Sequence, residues 1–99
     1  MTILEEVKQK YNIDLPISYG KVNDQTVLIL NEGIFGDYVS IEYLYVKYFL
    51  ESNQLQGQVV KQSLLTIEGK HFDKLMIAGV KENNSPMFLE LLFDISNYF

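Results

Sequence analysis

Leu75-Met76-Ile77-Ala78-Gly79-Val80 is apolar at every position, and its conformation decides the fold. It lies in the segment 71–81, which reads as a strand. A strand apolar at both odd and even positions is expected inside a sheet, with something covering each face. Outward from it, Glu82-Asn83-Asn84-Ser85 is a turn cluster closed by Pro86. The segment 87–95 then alternates. Met87, Leu89, Leu91, Phe93 and Ile95 share one face, and Phe88, Glu90, Leu92 and Asp94 share the other. On the N-terminal side, Gly69-Lys70 suits a two-residue type II′ hairpin turn, in which glycine takes the first position. The segment before it, 58–68, reads as a strand. The three strands 58–68, 71–81 and 87–95 form an expected antiparallel meander.

The first half of the chain is more mixed. Thr2-x-x-Glu5 fits a capping box, and Leu4, Val7 and Tyr11 recur at helical spacing, which predicts a helix over 2–11. Pro16 biases Leu15 to an extended conformation and prevents continuation. Residues 17–25 carry the turn formers Gly20 and Asn23-Asp24 and show no clear element. Thr26-Val27-Leu28-Ile29-Leu30 is a buried strand by its β-branched, apolar composition. Ser40 is a plausible N-cap for a second helix over 41–52. Ile41, Leu44, Tyr45, Tyr48 and Phe49 form its main apolar face. Tyr43, Val46 and Leu50 form a second patch, and only Glu42 and Lys47 separate the two. The alternation of Val39, Ile41, Tyr43 and Tyr45 also permits a strand, but the length favours helix. The expected fold is α+β: an antiparallel sheet of about four strands ending in a three-stranded meander, with two helices packed on it, in the order α-β-α-β-β-β. Ninety-nine residues make one domain, 1–99.

Composition excludes several function classes. The apolar fraction of 47% and the seven Tyr and six Phe belong to a chain with a real core, not a disordered one. Without cysteine there is neither a disulfide framework nor a thiolate metal site. No apolar run reaches the roughly 18 residues of a membrane span, and the first residues lack a basic signal-peptide region. These features point to a cytoplasmic address. The net charge is −5, and all eight cations are lysines. An acidic chain without arginine is a poor partner for phosphate backbones. The acidity is uneven, with eight acids against four lysines in residues 1–55 and five against four in residues 56–99.

The candidates for chemistry are few. His71 and Asp73 lie two apart in a strand, so they share a side and could begin an acid–base site. No nucleophile in a recognisable elbow accompanies them, which favours an ordinary histidine at a hairpin end. The acidic residues are scattered, with none of the spacing of a calcium loop, so neither metal nor cofactor is expected. Gly33-Ile34-Phe35-Gly36 has the form of a nucleic-acid clamp. Glu32, Asp37 and Glu42 surround it, however, and no lysine lies between Lys21 and Lys47. Nucleic acid is therefore not an expected ligand.

Two features point to protein binding. Ile34 and Phe35 are large apolar residues between glycines and ringed by acids. They are either a plug folded into the core or an exposed anchor rimmed by charge. The second helix, with two apolar faces and several tyrosines, suits an interface. The candidate surface is Glu32, Ile34, Phe35, Asp37, Tyr38, Glu42 and Tyr43. A protein partner with a basic contact surface would complement it. Small, acidic, tyrosine-rich domains without a catalytic set suit inhibition. Immunity proteins of bacterial toxin systems and phage-encoded inhibitors share this general profile, an analogy of kind rather than of sequence. The alternatives are a self-associating module, with a homodimer through the helix near 41–52, and a small-ligand binder or enzyme centred on His71.

Overall fold

A computed structural model describes residues 2–31 and 37–98 of the chain. The first helix, α1 (Ile3–Tyr11), is capped by Thr2. The Thr2 side chain accepts from the Glu5 amide, and the Glu5 carboxylate accepts from the Thr2 amide. Asn12 ends the helix in the left-handed conformation, as asparagine readily does. Two strands follow, β1 (Ile17–Val22) and β2 (Gln25–Leu30), then helix α2 (Tyr38–Ser52) and the meander β3 (Gln56–Ile67), β4 (Lys70–Val80) and β5 (Pro86–Asp94). A 3₁₀ turn spans Ser96–Tyr98.

The strands form one sheet in the order β1-β2-β5-β4-β3. The meander pairs antiparallel throughout, as its alternation requires. The α+β class stands, but among the described residues the sheet has five strands rather than about four. It is also mixed, because β2 runs parallel to β5, with Leu28 opposite Phe93. The extra strand is β1, which pairs with β2 across the two-residue turn Asn23-Asp24. Both turn residues have positive φ, the geometry of a type I′ hairpin turn. Gly20 sits in β1 where an added Cβ would lie 2.6 Å from Ile29 Cδ1, so its lack of a side chain lets Ile29 pack across it. The second hairpin turn also differs from expectation. Ile67 pairs with Lys70, which leaves Glu68-Gly69 as the turn. Both have positive φ, so the turn is type I′ and begins one residue earlier than the II′ reading.

Both helices lie on one face of the sheet. Leu28 and Leu30 of β2, Leu75 and Ile77 of β4, and Phe93 and Ile95 pack against Ile41, Tyr45 and Val46 of α2. Phe93 meets the Tyr45 ring edge-on, with centroids 5.9 Å apart. The helices meet through Tyr11 and Tyr48, whose ring centroids are 5.1 Å apart, and through hydrogen bonds from Tyr11 to Glu51 and from Ser52 to Glu6. Among the described residues the opposite face has only a small apolar cluster at one end, built on Val27, Phe72 and Leu92. The doubly covered central strand therefore needs correction. β4 is interior, but Met76 and Ala78 on its second face are half-buried and Val80 is exposed. The middle position belongs to β5.

Helix α2 starts three residues before the expected place. Its N-cap is Asp37, whose Oδ1 accepts from the Ser40 amide at 2.8 Å. That hydrogen bond holds the Asp37 carboxyl below its ordinary pKa. Ser40 supplies the amide and not the cap. Asp37→Ala is expected to lower the melting temperature by a few degrees, whereas Asp37→Asn, which keeps the acceptor, should leave it nearly unchanged. Thermal unfolding followed by circular dichroism distinguishes the two.

Candidate functional site

Under the first turns of α2 lies a pair of buried carboxyls. Glu42 sits one turn after Tyr38 and one before Val46, on the side that meets the sheet. It is completely buried, and so is Asp73 of β4. Asp73 shares its face of the strand with Leu75 and Ile77, by the two-residue period. The strand opposite places Leu64 against Asp73 and Gln62 against Leu75. From that diagonal position Gln62 Nε2 donates to Asp73 Oδ2 at 2.6 Å. No hydrogen-bond donor reaches either Glu42 oxygen or Asp73 Oδ1.

Two adjacent buried anions would be strongly destabilising. The pair resolves this by keeping one proton. Burial first, then the neighbouring Asp73 carboxylate, then the charge of Asp37, push the Glu42 carboxyl up to about 10. Glu42 is thus a neutral acid at neutral pH, able to donate to Asp73. The Tyr38 phenol is also raised, by burial and then by the charges of Asp73, Glu42 and Asp37. Among the described residues, no three His, Asp or Glu side chains come together to hold a metal ion.

The structure separates the residues singled out by sequence. Glu32, Ile34 and Phe35 lie outside the described residues. Asp37 is exposed but serves as the cap. Tyr38 is half-buried, packs against the main core and meets Tyr98 edge-on at 6.0 Å. Glu42 cannot belong to an acidic rim, since it is buried. Tyr43 is 45% exposed on the outer side of α2. Of the two polar residues between the helix's apolar faces, Glu42 turned inward and Lys47 outward. Tyr38, Tyr45 and Val46, at helical spacing around Glu42, were the signal for the first. Asp73 and Gln62 escaped attention, although the inward parity of Leu75 and Ile77 extends to Asp73.

His71 precedes this pair on β4. Its amide donates to Ser96 Oγ at 3.0 Å, and its carbonyl accepts from the Ile95 amide at 2.9 Å. Asp73, the acid a His71-centred site would use, accepts a hydrogen bond from Gln62.

A second feature lies on the outer flank of α2. An open groove of about 730 Å³ runs between the helix and the start of β3, with Tyr43, Val46, Leu50 and Val59 among its lining residues and Lys47 and Glu51 beside them. A third is the uncovered sheet face, where Phe88 is 74% exposed. No helix among the described residues is long and apolar enough to cross a membrane. Comparison with models of protein families, with curated proteins and with solved structures finds no match.

Proposed function

We propose that the chain is a small cytoplasmic protein-binding module of the inhibitor or immunity type, not an enzyme, which occupies a basic surface of a protein partner. The observation that carries the reading is Tyr43 standing exposed over the groove between α2 and β3. A tyrosine offers a rigid ring for burial and a hydroxyl that tolerates water, the usual make-up of an interface anchor. Val46, Leu50 and Val59 supply an apolar floor, and Glu51 supplies an acid at the edge.

Charge supports the reading less than the composition implied. Among the described residues Glu42, Asp73 and Asp94 are buried, which leaves nine acids against eight lysines outside the interior. The contact therefore depends more on Tyr43 and the groove than on long-range steering. Asp37 retains a place at the margin of the surface, and Glu42 leaves it.

The test is capture of the partner from the native source, identification by mass spectrometry, and titration of the purified pair by calorimetry. Tyr43→Lys is expected to weaken binding about thirtyfold, by roughly 2 kcal/mol, through faster dissociation, with the fold intact. Phe88→Ser on the open face should bind as wild type does. Unchanged affinity of the Tyr43 variant, or a contact surface on the partner without basic residues, sinks the reading.

A further inference from the structure

The outer edge of β3 is unpaired among the described residues, because β3 ends the sheet. A free edge is a row of unsatisfied backbone donors and acceptors, which natural proteins ordinarily guard with charges, prolines or a covering element. This edge is poorly guarded. Residues 52–67 contain a single charge, Lys61, and no proline. They are also the longest stretch of the chain without an acid. The register slips between Val59 and Lys61, and from Lys61 to Ile67 the pairing with β4 is regular. In the middle of that regular part stands Leu64, 63% exposed on the helix side of the sheet.

We propose that β3 pairs antiparallel with β3 of a second copy of the chain, through residues 61–67, about a two-fold axis at Leu64. Charge selects this occupant. Two copies of net charge −5 repel at most surfaces, but not where neither presents an acid. The register also disposes of Lys61. With Leu64 opposite Leu64, Lys61 of each copy faces Ile67 of the other, and the two lysines stand about 20 Å apart along the strands. Gln62 meets Thr66 and Ser63 meets Leu65, so no like charges face each other. Pairing covers both exposed Leu64 side chains at once, and a two-fold contact closes the β3 edges of both copies together. The groove beside Tyr43 lies at the other end of β3, so this inference stands independently of the proposed partner site.

The experiment uses the whole chain. Sedimentation of the wild type from low micromolar to near-millimolar concentration should show a reversible dimer, and Leu64→Lys should be monomeric with an unchanged circular dichroism spectrum. The chain has no cysteine, so Leu64→Cys introduces a lone thiol at the axis. It should form a disulfide-linked dimer roughly tenfold faster than Thr66→Cys, because only opposed residues bring their Cβ atoms within bonding reach. A wild type that stays monomeric throughout overturns the proposal. So does a folded Leu64→Lys variant that still dimerises, or equal cross-linking at the two positions. The cysteine comparison decides the matter if the lysine variant does not fold.

Discussion

Ile77→Asp is expected to remove a large part of the protein's stability. Ile77 is fully buried, with Val59 opposite on one neighbouring strand and Leu89 opposite on the other, in the cluster under α2. An aspartate there is a buried charge with no cation to pair. The cost is about 3–5 kcal/mol, a large part of the 5–15 kcal/mol that typically holds a domain together. Met76→Asp, one residue earlier, places the same charge on the uncovered face and should cost about 1 kcal/mol. Urea midpoints of the two variants measure the difference. Equal loss would mean that the second face of β4 is as buried as the first.

The second large effect concerns Glu42. Its carboxyl has an ordinary pKa of 4.5 when exposed and about 10 when folded. Below the lower value both states carry the proton and folding is not penalised. Above it the unfolded chain releases the proton while the folded chain retains it, so stability falls as pH rises. The slope is about 1.4 kcal/mol per pH unit and persists until the folded group titrates. Between about pH 5 and pH 8 the loss is therefore several kcal/mol. Glu42→Gln removes it. The amide is neutral at every pH and can still donate to Asp73. The variant should match the wild type near pH 5, exceed it by several kcal/mol at pH 8, and show a flat profile between. The caps act in the opposite direction. Glu5 and Asp37 have lowered pKa values, so their stabilisation is lost as pH falls, and the comparison belongs above pH 5. Parallel pH profiles for wild type and variant would show that the proton is not held at Glu42.

The meander was legible because alternation is a local property, and Met87 to Ile95 alternate almost without interruption. The capping box at Thr2 and Glu5 was legible for the same reason. Strand β1 was not, because Gly20, Lys21 and Asn23 weaken its pattern and only pairing with β2 makes it a strand. The parallel contact between β2 and β5 has no local signature either, since it joins segments separated by most of the chain. Asp37 and Ser40 both resemble N-caps, and the backbone chose the earlier. At the candidate site the second apolar patch divides, with Tyr43 exposed and Val46 in the core. Glu42 was misplaced because a charged residue is normally solvated, and the proton that permits its burial depends on Asp73 in a distant strand. The residues 32–36, on which much of the sequence reading turned, carry none of the structural argument.

The middle place of β5 bears on how the sheet is assembled. Among the described residues the β1–β2 hairpin joins the sheet only through β5, and α2, β3 and β4 all lie between them in the chain. A ribosome therefore delivers the hairpin first and its sole neighbour much later. Until then β2 exposes Leu28 and Leu30 and one bare edge, a situation that favours slow closure and interaction with chaperones. The three meander strands, contiguous in the chain, can form early on their own. The rate-limiting event in refolding should be the parallel docking of β2 on β5. Substitutions at Leu28 should then slow folding more than they speed unfolding.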